Sequence, residues 1–202
     1  MATKPSKPGV GCDTRREPPV KAAPRQTAAV RHLAALFAEE PELVRACLQG
    51  IEREPAERAQ LILAAAQLAT EAYPEYADLF YQAGQAAVAA GEYDTAATAL
   101  ARAIKLNSTY KDALILAGRV AIQRRRPEEA EALLQTAVRA GADYPDVHVL
   151  LGNLWRERGA LPRARAAYER ALELNGNLKA AQTALATLEN TATRGKCDEL
   201  SA

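Results

Sequence analysis

Residues 148–172 read HVLLGNLWRERGALPRARAAYERAL, and this stretch decides the fold. His148, Leu151, Gly152 and Trp155 are spaced i, i+3, i+4, i+7, which is one face of a helix. Gly159-Ala160-Leu161-Pro162 breaks the pattern, and Ala164, Tyr168, Ala171 and Leu172 resume it. The same figure stands 34 residues earlier as Leu114, Ala117, Gly118 and Ala121, then Ala130, Leu134, Ala137 and Val138. Another 34 residues back it reads Phe80, Ala83, Gly84 and Ala87, then Ala96, Leu100, Ala103 and Ile104. Gly91-Glu92-Tyr93 and Arg126-Pro127-Glu128 mark the breaks inside these two units. Gly50, Gly84, Gly118 and Gly152 therefore keep one interval, although only 11 of the 202 residues are glycine. A helical Gly costs ~1 kcal/mol relative to Ala, so its regular placement needs compensation. A partner helix lying too close for any side chain supplies it. Each unit reads as two antiparallel helices meeting on small residues.

This figure resembles the tetratricopeptide repeat, a helix–turn–helix of 34 residues patterned W-x2-L-G-x2-Y, then A-x3-F, then P. The third unit matches best, through His148, Leu151, Gly152 and Trp155, then Ala164 and Tyr168. The resemblance covers residues 77–178 as units 77–110, 111–144 and 145–178. Ser108, Ala142 and Gly176 replace the closing Pro. Residues 43–76 are similar to a degenerate unit, with Gly50 and Pro74 in register. There Gln49 and Arg53 stand at apolar positions, and Pro55 falls where the first helix should still be running. The resemblance implies an all-α fold, a right-handed α-solenoid of such units with a C-terminal capping helix. The cap is expected over 179–190, through Ala181, Leu185 and Leu188, with Lys179, Gln182 and Glu189 as polar residues suited to a solenoid end. Residues 191–202 are expected to form a flexible tail. Before the repeats, 27–76 is expected to be helical, Thr27 capping a helix to about Ala38 and Pro41 opening the next. Residues 1–26 hold five of the eleven prolines and six basic residues against Asp13 and Glu17, as a disordered leader would. Such a leader either tethers an acidic partner or only solubilises the chain.

Composition bounds the function. The chain is 49% hydrophobic and 5% aromatic, so Ala and Leu must build thin interhelical contacts. A net charge of +1 provides no uniform field for nucleic acid or an anionic membrane. No stretch approaches the ~20 apolar residues of a membrane span, and the N-terminus shows no signal-peptide segment. Cys12, Cys47 and Cys197 form no metal or redox spacing, and an odd count without an export signal suits a cytoplasmic location. The sequence shows no phosphate-cradling glycine loop, no nucleophile paired with a base and no cluster of metal ligands. The expectation is a protein without catalysis, cofactor or metal. His32 and His148 are the only histidines, far apart, and His148 takes a packing slot, as do Trp155 and Tyr168.

Helix period then places a candidate binding surface. One stripe round from the glycine face run Asp78, Tyr81, Gln82, Gln85, Val88 and Ala89. The next unit offers Asp112, Ile115, Leu116, Arg119, Ile122 and Gln123, and the third Asp146, Val149, Leu150, Asn153, Arg156 and Glu157. The resemblance implies that this stripe lines a concave groove. Its apolar members make a trough, with Gln85, Arg119 and Asn153 as a polar row across it. Exposed apolar surface of that extent marks a contact site. The expected occupant is an apolar or amphipathic segment of a protein partner, held so that a larger complex assembles. The alternatives are the chain's own N-terminal helix or a second copy, which would make the protein a self-associating assembly subunit. Some family members clamp a C-terminal carboxylate with Lys, Asn and Arg. The matching positions here are Tyr81, Gln85, Leu116, Asp146 and Leu150, so that clamp is absent. The aligned Asp78, Asp112 and Asp146 suit helix N-terminal dipoles. Together with Glu157 they outnumber Arg119 and Arg156 and disfavour RNA. Arg124-Arg125-Arg126 either ends a helix or offers a docking patch.

Overall fold

The structure, a computed structural model, describes residues 28–41, 44, 46 and 55–188. The leader over 1–26, the tail over 191–202, Thr27, Gly50, Arg53 and the three cysteines lie outside those residues. Every regular element among them is a helix. In chain order these are α1 (Ala28–Glu39), α2 (Pro55–Ala72), α3 (Ala77–Ala89), α4 (Tyr93–Leu106), α5 (Lys111–Gln123), α6 (Pro127–Arg139), α7 (Pro145–Glu157) and α8 (Leu161–Leu174). The last helix among the described residues, α9, covers 179–188; Glu189 and the end of the cap expected over 179–190 lie outside them. Helices α3 with α4, α5 with α6 and α7 with α8 form tight pairs, and consecutive pairs stack on one another. The result is an all-α solenoid.

The glycines do what their spacing requires. A Cβ on Gly84 would lie 2.7 Å from Leu100 Cγ, one on Gly118 2.7 Å from Leu134 Cγ, and one on Gly152 2.5 Å from Tyr168 Cε1. Leu100, Leu134 and Tyr168 are all fully buried. Burying one such side chain is worth about 1.5–3 kcal/mol, more than the ~1 kcal/mol a helical Gly costs. The close approach therefore wins. Around it the helices touch through Ala87, Ala96 and Ala103, through Ala121, Ala130 and Ala137, and through Ala164 and Ala171, all essentially buried. Tyr168 also resolves its hydroxyl, which donates to Asn153 Oδ1 at 2.8 Å.

Four helices end in the same six-residue closure. Glu92 N–H reaches Ala87 O at 2.8 Å while Gly91 N–H reaches Val88 O at 3.0 Å. Equivalent bonds run from Arg126 and Arg125, from Ala142 and Gly141, and from Ala160 and Gly159. This closure needs a left-handed residue. Gly91, Gly141 and Gly159 supply it with φ of 77°, 91° and 72°, but the remaining one is Arg125, at φ 56°. The arginine run therefore conceals a turn that the other units make with glycine. At the opposite ends no side chain among the described residues caps α3 through α8. Instead Pro127, Pro145 and Pro162 open three of them, and acidic residues occupy most first turns.

Pro55 corrects the sequence reading. It was expected to interrupt the first helix of a degenerate unit, yet it opens α2, which runs 18 residues. A proline at the first helical position loses only an amide that has no intrahelical partner. Helix α2 packs on α3 and on α1, whose Phe37 is wholly buried in the same core as Leu63, Ala66 and Leu79.

Polar bridges tie neighbouring units. Arg124 Nε donates to Asp94 at 2.7 Å, linking the turn after α5 to α4. The turn after α7 reaches back to α6: Arg158 pairs with Glu128 at 2.7 Å and with Glu131. Trp155 Nε1 donates to the same Glu131 at 2.8 Å, so this ring is half-buried and hydrogen-bonded rather than enclosed in the core. Asp143, between α6 and α7, binds His148 at 2.6 Å and Arg170 of α8. Arg170 chiefly, and His148 next, hold the Asp143 carboxyl below the usual carboxylate range.

Three outcomes are expected. Gly152→Ala should lower stability by up to about 2 kcal/mol in urea unfolding, because overpacking costs about 1–3 kcal/mol and helix propensity returns ~1. Arg125→Gly should raise stability by about 0.5–1 kcal/mol, since it removes left-handed strain of about 1–2 kcal/mol but frees the unfolded chain. Asp143 has a depressed folded pKa, so its stabilisation is present above the unfolded value and is lost as pH falls through the folded one. Urea midpoints measured from pH 6 down to 3 should therefore fall less steeply in Asp143→Asn than in the parent chain.

Candidate protein-binding groove

Helices α3, α5 and α7 are the first helices of their pairs, and each buries its glycine face against the following helix. Turning each helix by one stripe brings up the residues expected to line a groove. Tyr81, Gln82, Gln85 and Val88 on α3 are partly buried. So are Ile115, Leu116 and Ile122 on α5, and Val149, Leu150, Asn153 and Arg156 on α7. Arg119 is exposed. These side chains flank the pair contacts, which leaves them half-buried among the described residues.

The stripe gathers into separate depressions. Gln85, Val88 and Leu116 meet Ala59 and Ile62 of α2 around a cavity of about 400 Å³. Ile115, Arg119, Val149 and Leu150 meet Tyr144 and Leu178 around one of about 390 Å³. Gln82 lines a third, of about 500 Å³, with Tyr73, Tyr76 and Tyr110. Tyr81, Ile122, Asn153 and Arg156 lie outside these three.

The polar row expected across the trough is only partly available. Gln85 Nε2 donates to the Tyr81 hydroxyl at 2.8 Å, and Asn153 Oδ1 accepts the buried Tyr168 hydroxyl. Burial pushes that phenol up, so it keeps its proton and needs an acceptor. Arg119 is left as the exposed cation of the row. Asp78, Asp112 and Asp146 each sit in the first turn of a helix, where the dipole favours a carboxylate. Asp78 also accepts the Tyr110 hydroxyl; burial first, and this carboxylate next, push the Tyr110 phenol up. The Tyr110 and Tyr81 rings lie 5.1 Å apart. Gln82 Oε1 is buried with no hydrogen-bond partner among the described residues, a situation that typically costs about 1–3 kcal/mol.

Sequence reasoning missed the tyrosines. Tyr76, Tyr110 and Tyr144 immediately precede α3, α5 and α7 and keep the 34-residue interval. Leu178 takes that place before α9. The interval was legible, but these positions lie in connections, outside the helical periodicity that located the stripe.

The sequence model of the tetratricopeptide repeat family matches residues 87–154. No curated protein matches the chain. Among solved structures, MamA 41-end from Desulfovibrio magneticus RS-1 is similar at 18% identity and TM-score 0.68, over 83% of this chain and 88% of that one. TTC0263, a thermophilic TPR protein in Thermus thermophilus, is similar at 21% identity and TM-score 0.55, over 81% and 90%. The first TPR of Spaghetti (RPAP3), bound to the HSP90 peptide SRMEEVD, is similar at 20% identity and TM-score 0.55, over 58% and 93%. At these identities the likeness is one of fold. With the 34-residue register and the glycine-tight helix pairs around it, the segment 87–154 matches the tetratricopeptide repeat family, and the described chain shares the fold of solved tetratricopeptide repeat structures.

Proposed function

We propose that this protein is a non-catalytic scaffold that holds an apolar or amphipathic segment of a protein partner along α3, α5 and α7, supporting assembly of a larger complex. The half-buried stripe carries this reading. Val88 and Leu116 line one recess and Ile115, Val149 and Leu150 another, with the exposed Arg119 on the wall of the second. Such a surface suits a segment that seats apolar anchors at intervals and satisfies its polar edges on the rim.

The peptide-bound structure of similar fold is a useful contrast. Its ligand, SRMEEVD, is acidic. Here Asp78, Asp112 and Asp146 stand along the stripe, and the carboxylate-clamp positions hold Tyr81, Gln85, Leu116, Asp146 and Leu150. An acidic tail would meet like charge. A segment that lays apolar or neutral polar side chains beside Arg119 fits better.

Affinity capture with the full chain, compared with Arg119→Glu and Leu150→Glu, tests this. Partners lost in both variants, with helical circular dichroism unchanged, are the expected result. Undiminished capture by both would sink the groove reading. Mass measured by light scattering over a concentration series addresses the other occupant. A mass that doubles with concentration, and no longer does so in the two variants, would assign the stripe to a second copy of the chain instead.

A further inference from the structure

The recess at the α1 end of the stripe differs in chemistry from the two apolar ones. Its wall of about 500 Å³ carries three tyrosines, Tyr73, Tyr76 and Tyr110, two carboxylates, Glu39 and Asp78, and Gln82. No lysine or arginine among the described residues lines it. The Tyr73 and Tyr76 rings stand edge to face with centroids 6.1 Å apart, and both are unusually open to solvent, at 41% and 56%. Tyr110 is braced by its hydroxyl on Asp78 and by the Tyr81 ring. Asp78 keeps acceptor capacity, since an ionised carboxylate offers about four lone-pair sites. Gln82 adds a buried amide oxygen with no partner among the described residues.

Each of these features is the complement of a cation rich in N–H groups. Aromatic faces attract positive charge, the carboxylates pair with it, and the orphaned oxygen lacks a donor. A guanidinium meets all three at once, because it is flat enough to stack and presents a fork of five donors. An ammonium is compact, strongly hydrated and cannot stack. We propose that this recess takes an arginine side chain of a partner polypeptide. The source of that arginine rests on the groove reading: it would belong to the segment lying in the adjoining stripe. The recess itself does not depend on the groove, and the two fail separately.

Proton NMR titration of the full chain with Nα-acetyl-arginine methylamide tests it. The arginine probe should shift tyrosine ring signals saturably; the neutral citrulline counterpart should bind at least about fivefold more weakly, as loss of a cation–π contact implies, and the lysine counterpart should also bind more weakly, because an ammonium has no planar fork to stack and bond at once. Tyr76→Ala and Gln82→Leu should each weaken the arginine probe by a similar factor. These two variants avoid Asp78, which also helps start α3 and holds Tyr110. Arg119→Glu, distant in the stripe, should leave probe binding unchanged even where it abolishes partner capture. No saturable shift, equal binding of the citrulline or lysine probe, or indifference to both Tyr76→Ala and Gln82→Leu would overturn the assignment.

Discussion

Everything in this solenoid depends on how closely the two helices of each pair approach. At Gly84, Gly118 and Gly152 the approach leaves no room for a methyl group against Leu100, Leu134 and Tyr168. The energetic balance is local and favourable: a small loss of helix propensity against the burial of a large side chain. With the pair locked at that point, the ring of alanines around it sets the separation. Stacking consecutive pairs then has only one apolar face left to use. The continuous core from Phe37 through Leu63 and Leu100 to Ala117 is what results.

The proposed binding surface is a by-product of the same lock. Because the glycine stripe of α3, α5 and α7 must face the following helix, the neighbouring stripe must lie beside that contact. The packing constraint thus repeats one half-buried stripe from unit to unit, with different residues on it in each. Here those residues are mostly aliphatic in the middle and acidic at the helix starts. At the α1 end they change to tyrosine, and the chemistry of the surface changes with them.

Much of this was legible before any coordinates. The residue spacing named the helix pairs, the close-packing glycines and the stripe beside them, since each is a statement of helix period. Where reading fell short, the reason was the same each time: the outcome depended on a residue's neighbours in space. Pro55 looks like a helix breaker and is a helix opener, because α2 begins there. Arg125 looks like one of three cations and is a left-handed turn residue, because the chain must reverse where its counterparts have Gly91 and Gly159. Asn153 looked available to a ligand, but Tyr168 is buried beneath it and needs an acceptor.

The sequence by itself determined the fold class, the register and which stripe of each first helix lies beside the pair contact. These follow from periodicity, which the backbone obeys whatever surrounds it. Only the tertiary structure decided which residues of those stripes share a recess. It divided the stripe between separate depressions, used Gln85 and Asn153 internally, and gathered Tyr73, Tyr76 and Tyr110 from two connections onto the Asp78 end of α3. Such meetings across units are set by the distance and twist between packed helices, and no spacing along the chain encodes them.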